Sequence, residues 1–199
     1  VKTFGFLVGG WVVGGAIVLA LGAPAASRAA RTVARAAEPA AARPASGRPH
    51  EAGALLIPVQ GVVAADLRDD FNQPRSDGRT HEALDILAPH GTPVLAAVDG
   101  TIRKLFFSGA GGITIYQFDR AEERVYYYAH LDRYADGLAE GLFVPQGTVI
   151  GYVGATGNAH GTNHLHFAIG VLPPTKEWWK GTAIDPYPLL ATTRLSSLP

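Results

Sequence analysis

From Leu55 onward the chain is cut into short apolar runs by clusters of glycine, proline and aspartate, and no stretch sustains a 3.6-residue apolar period. That texture suits many short strands and excludes a helical bundle, whose helices need longer periodic faces. The runs fall at 94–98, 101–107, 113–118, 124–131, 148–153 and 165–171. Turn-forming residues separate them: Asp99-Gly100, the glycines of 109–112, the polar stretch 119–123, and Pro145-Gln146-Gly147. One short helix is expected over 132–141. Residues 55–190 therefore read as one mostly-β domain, with 191–199 as a C-terminal tail.

Upstream the composition changes. After Lys2, residues 3–22 are almost wholly apolar or glycine, and Ala23-Pro24-Ala25-Ala26 follows. A charged start, an apolar run and small residues fit a secretory signal peptide. At about 20 residues the run could equally span a bilayer and remain as a tether. Residues 1–25 are thus expected to be a signal peptide or membrane anchor, an apolar helix in either case. Its glycines disfavour a buried core helix. Arg28, Arg31 and Arg35 follow the run and count against an anchor whose downstream side lies outside. Residues 26–54 are rich in Ala, Pro and Arg and lack large apolar side chains. Such a segment cannot offset its chain entropy by burial and is expected to be a disordered linker. His50 sits there and is expected to be inert.

The absent cysteine removes disulfides, thiolate metal ligands, iron–sulfur clusters and a thiol nucleophile. Seventeen Lys and Arg balance seventeen Asp and Glu. That balance argues against nucleic acid as a partner, which calls for a basic excess. It is also an average. Five arginines and two glutamates lie in the linker, so the domain itself leans acidic.

Six of the seven histidines fall in the domain, and imidazole is the commonest metal ligand. His164-Leu165-His166 lies in a predicted strand, where alternate side chains share a face. Both imidazoles would face a cleft while Leu165 and Phe167 face the core. His81-Glu82-Ala83-Leu84-Asp85 is an H-x-x-x-D pattern. In a straight strand its two ends would stand roughly 13 Å apart. They can meet one ion only if the segment bends, and a loop entering a strand at Leu84 would allow that. His130 ends the run 124–131, where alternation places it on the face of Tyr126 and Tyr128.

Taken together with their surroundings, these motifs resemble the lysostaphin-type (LytM-domain) zinc metallopeptidases, which cut peptide bonds in peptidoglycan. The resemblance covers about residues 58–186. It rests on Phe71-Asn72-Gln73-Pro74-Arg75, His81 to Ile86, Ala88-Pro89-His90-Gly91-Thr92-Pro93-Val94 and Ala96-Ala97-Val98-Asp99-Gly100. It continues through Tyr128-Ala129-His130-Leu131, Val149 to Gly154, Thr156-Gly157 and His164-Leu165-His166-Phe167. The family's fold implies a single antiparallel β-sheet domain with short helices and long loops. Its motifs imply one Zn2+ ion held by His81, Asp85 and His166, with His130 and His164 as catalytic non-ligands. Which of those two serves as general base stays open. Three departures touch the rim: Ala83 in place of a common glycine, Thr162-Asn163 in place of Gly-Pro, and Ala168 in place of glutamate.

The resemblance implies a zinc endopeptidase acting on peptidoglycan cross-links or stem peptides, exported to the periplasm or cell envelope and possibly tethered to the inner membrane through residues 3–22. The alternatives are a non-catalytic LytM-domain regulator of another wall hydrolase, or a β-domain that only binds wall polymer. The complete zinc set favours the enzyme. His90 and His160 are expected at the rim or in structural roles. Tyr126, Tyr128 and Arg75 are candidates for the groove, the tyrosines equally for strand packing. Trp178-Trp179 is either a polymer contact or a flap over the core.

Overall fold

A computed structural model describes residues 55–75 and 78–192. The apolar N-terminal segment, the linker and residues 193–199 of the expected tail lie outside the described residues. Among the described residues nine strands form one sheet: β1 (Leu84–Leu87), β2 (Pro93–Leu95), β3 (Gly100–Ser108), β4 (Gly112–Asp119), β5 (Arg124–Tyr134), β6 (Phe143–Val144), β7 (Val149–Val153), β8 (His164–Val171) and β9 (Thr182–Ile184). The helical content of the described residues is a 3-10 turn at Ala64–Asp66 and one short helix, α1 (Tyr187–Ala191). The mostly-β antiparallel expectation therefore holds.

The strands run in the order β1-β8-β5-β4-β3-β6, all antiparallel. β2 and β7 pair as a ribbon that joins the end of β5, and β9 continues the β1 side of β8. Alternation divides the sheet into two faces. One face carries Leu84, Ile86, Ile102, Ile115, Tyr126, Tyr128, Leu165, Phe167 and Ile169, and it packs with Ile57, Val59, Leu67 and Leu190 into the main core. The other carries Ala83, Tyr116, Phe118, Val125, Tyr127, Ala129 and Ala168, with Trp178 against them. As expected, Leu165 and Phe167 sit in the core.

Two expectations about elements need correction, and two short strands were not expected. The helix over 132–141 does not form. Asp132 to Tyr134 instead extend β5, because Arg133 and Tyr134 pair with Tyr152 and Gly151 of β7. The Tyr134 hydroxyl also donates toward the carbonyls of Phe106 and Thr114 (both 3.2 Å). The run 94–98 is a strand only to Leu95. Beyond it the backbone serves other partners: Ala96 N–H donates to Thr148 O (2.9 Å) and Ala97 N–H to the Tyr128 hydroxyl (2.9 Å). β6 and β9, of two and three residues, are too short to show an alternating pattern.

Tyr126 and Tyr128 are core residues, which resolves their alternatives in favour of packing. The Tyr128 hydroxyl donates to Gln117 Oε1 (2.6 Å), and Gln117 Nε2 donates to Val98 O (2.8 Å). This relay satisfies a buried glutamine and pins the 96–98 segment onto the sheet. Tyr128→Phe leaves Ala97 N–H and Gln117 Oε1 without that partner. It should cost about 1–3 kcal/mol of unfolding free energy in urea titration; an unchanged midpoint would contradict the relay's importance.

Candidate active site

The site forms where β1 lies beside β8. Their register sets Asp85 opposite His166 and Leu87 opposite His164. His81 precedes β1, and the chain bends at Ala83, which is the bend that the H-x-x-x-D spacing demanded. His81 Nε2 then lies 3.1 Å from Asp85 Oδ1 and 3.2 Å from His166 Nδ1. His166 Nδ1 lies 2.9 Å from the same carboxylate oxygen. These three residues form a group whose donor atoms could hold a metal ion. The fit is close. Four ligands at about 2.0–2.2 Å from one ion stand roughly 3.3 Å apart in a tetrahedron, and two imidazoles with one carboxylate make a zinc-type set of three.

The next layer of contacts aims these atoms. His81 Nδ1 donates to Asp70 O (2.9 Å), which turns Nε2 inward, where it would present its lone pair to a bound ion. The Asp70 carboxylate accepts from the backbone N–H of Asp85 (3.3 Å). Arg75 Nη2 donates to Asp85 Oδ2 (2.6 Å), so Arg75 belongs to the site. Asp70 was not anticipated. A single acid in a loop has no spacing that marks it; the only cue was the Asp69-Asp70 pair ahead of Phe71.

His130 reaches the site by a route that strand alternation does not predict. It was expected on the face of Tyr126 and Tyr128, which is the core face. Instead its backbone adopts φ 60° and the β4–β5 register shifts there. The left-handed residue reverses the alternation. Its ring stands 4.8 Å from that of His164 and 5.6 Å from that of His166. The distortion is held by His130 N–H donating to Gly111 O (2.8 Å) and by Nδ1 donating to Thr156 O (2.8 Å). Gly112, at φ 65°, allows this closeness, since a Cβ there would sit 2.2 Å from Thr156 Oγ1.

His164 Nδ1 donates to Thr162 O (2.9 Å), and its Nε2 lies 3.7 Å from Asp85 Oδ1. His130 and His164 thus share one design: Nδ1–H is tied to a backbone carbonyl, which leaves Nε2 as the ring nitrogen available to the site. Carbonyl partners of this kind leave no mark in a side-chain pattern. Tyr127, not its neighbours, faces the site, with its ring edge-on to His166 at 6.1 Å. His90 pairs with Asp132 (3.1 Å) at the exposed rim, and His160 lies in an exposed loop. Trp178 packs edge-on to Tyr116 (ring centroids 4.6 Å apart) and tilted against Phe106 (5.7 Å), so it covers the second apolar face.

The electrostatics follow from burial and neighbours. Burial, helped by His166 and His164, lowers the His130 pKa to about 4 and keeps its ring neutral. Burial would also lower His81, but hydrogen bonds to Asp70 and Asp85 overcome it and raise the pKa to about 9. Burial pushes His166 down despite its contact with Asp85. Burial works to raise Asp85, yet His166 and His81 hold its carboxyl well below the usual range.

A family model for peptidase family M23 matches residues 79–186. The chain belongs to peptidase family M23. An L-Ala–D-Glu endopeptidase of Bacillus subtilis is 35% identical over 118 residues, covering 56% of this chain and 35% of that protein. A DD-carboxypeptidase/endopeptidase, Mpg, of Neisseria meningitidis is 41% identical over 90 residues, covering 45% of this chain and 20% of that protein. The chain thus spans about a third or less of these relatives' length. The catalytic domain of lysostaphin from Staphylococcus simulans superposes with a TM-score of 0.51 at 32% identity, covering 59% of this chain and 84% of that domain. The lysostaphin-type resemblance is therefore established for fold and family.

Stripping any metal with a chelator should expose two opposed titrations. The bonus from His81, whose ordinary pKa is 6.5, is complete below that value and is lost as pH rises through about 9. The His130 ring is neutral above 6.5, and its stability is lost as pH falls toward about 4. Urea unfolding of stripped protein should show maximum stability near pH 6.5, falling on the order of 3 kcal/mol toward pH 9 and by at least as much toward pH 4, where His166 adds to His130. Stability that climbs steadily to pH 9 would contradict these environments.

Proposed function

We propose that this chain carries a zinc-dependent endopeptidase domain that hydrolyses peptide bonds in peptidoglycan cross-links or stem peptides. The observation that carries the reading is the convergence of five side chains in one site. His81, Asp85 and His166 present three donor atoms within 3.2 Å of one another, and the His130 and His164 rings stand beside them. The M23 match and the endopeptidase names of the relatives support the same substrate class.

Zinc, when bound, supplies Lewis acidity toward the scissile carbonyl and a water acidified toward neutral pH. The chain's own residues supply the rest. His81 is oriented by Asp70, and Asp85 and His166 are set side by side by the β1–β8 register. His130 offers Nε2 on a ring that burial keeps neutral, and His164 offers Nε2 beside it. One takes the proton from the attacking water, and the other steadies the developing oxyanion or delivers a proton to the leaving amine. Both His130 and His164 are themselves buried, and burial strengthens these contacts. A peptidoglycan substrate would lie in the cell envelope, and the apolar run at residues 3–22 supports export there through a signal peptide or a membrane anchor.

Purified protein should bind one zinc per chain and release new amines from peptidoglycan. His81→Ala and Asp85→Ala should lose zinc and activity together. His130→Ala and His164→Ala should keep zinc and lose turnover by about 10²-fold or more. Protein that retains no zinc, releases no amine, and instead stimulates another wall hydrolase would assign the regulatory role.

A further inference from the structure

Asp85 uses its two carboxylate oxygens for different partners. Every contact to a site histidine goes to Oδ1: His166 Nδ1 at 2.9 Å, His81 Nε2 at 3.1 Å and His164 Nε2 at 3.7 Å. Oδ2 faces the other way and accepts from Arg75 Nη2 at 2.6 Å. A carboxylate can offer an ion one oxygen or both. Taking both would fill the coordination position that a three-ligand site keeps for water or substrate. A short charge-assisted bond to Oδ2 fixes the carboxylate's rotation and occupies the oxygen that would otherwise swing in.

The backbone delivers Arg75 to that point deliberately. Arg75 N–H donates to Arg79 O (2.8 Å), Pro74 bridges Thr80, and His81 N–H donates to Gln73 O (2.8 Å). The segment leading into His81 therefore folds back on itself. The same few residues then carry Asp70 to His81 and Arg75 to Asp85. With its side chain 42% exposed, Arg75 sits at the rim. An ion pair in that setting adds little to folding, so its effect is orientation rather than stability.

We infer that Arg75 is a positioning residue that holds Asp85 to a single coordinating oxygen and so keeps one position on the metal open for the reaction. This rests on the zinc reading above. The test is cobalt(II) substitution of the wild-type, Arg75→Ala and Arg75→Lys proteins, with absorption spectra, zinc affinity by chelator competition and steady-state kinetics. Wild-type protein should give the intense d–d bands of four-coordinate cobalt. Arg75→Ala should shift to the weaker bands of higher coordination, with zinc affinity altered and kcat down about 10- to 100-fold at little change in KM. Its unfolding midpoint should stay within error of wild type. Arg75→Lys, which keeps the charge and a donor, should restore part of the spectrum and the rate.

An Arg75→Ala spectrum identical to wild type overturns the inference, even where KM rises, since Arg75 would then touch only substrate. A wild-type protein that takes up no cobalt overturns the metal reading itself, which separates the two failures.

Discussion

The register that β8 keeps with its two neighbours is the constraint on which the site depends. His166 lies between Asp85 of β1 and Ala129 of β5. On one side this supplies the carboxylate, and on the other it leaves room, because alanine adds no bulk beside the ring. A slip of one residue would exchange the faces of β8. Leu165 and Phe167 would leave the core and the two histidines would enter it. Fully buried Leu165, Phe167 and Ile169 therefore hold the register and, through it, the chemistry. The packing energy of the core face is what positions polar groups on the other.

Around that fixed pair the remaining parts arrive by irregular backbone. His81 comes in over a bend, and His130 through a left-handed residue at a register shift in β5. Both departures are stabilised by backbone hydrogen bonds to loops, at Gln73 and at Gly111. Regular strands alone could not bring four imidazoles and a carboxylate together, since alternation sends every second side chain to the core. The fold spends its regularity on β8 and its distortions on the residues that must meet it. Asp70 and Arg75 come from one short segment and aim two neighbouring groups, which ties the outer contacts of the site to a single loop.

Much of this was legible in the sequence. Short apolar runs between turn residues gave the strands, and the H-x-H alternation gave the orientation of His164 and His166 correctly. The H-x-x-x-D spacing even required the bend that the backbone makes at Ala83. Other features were hidden for physical reasons. The helix expected over 132–141 lost to strand pairing with β7, a long-range contact that local propensity does not record. The face of His130 was misjudged because a positive φ reverses alternation and histidine, unlike glycine, gives no warning of it. Alternation from His130 likewise points to Tyr126 and Tyr128 rather than Tyr127, because it assumes one unbroken face along β5. Asp70, and the carbonyls of Thr156 and Thr162, act through contacts that no side-chain spacing encodes.

The most direct test of the account is X-ray absorption at the zinc edge on protein purified without added chelator. The first coordination shell should contain two imidazoles and one carboxylate oxygen, completed by a light oxygen donor, at about 2.0–2.1 Å. Protein that carries no zinc, or a shell with fewer than two imidazoles, would contradict the assignment of His81, Asp85 and His166.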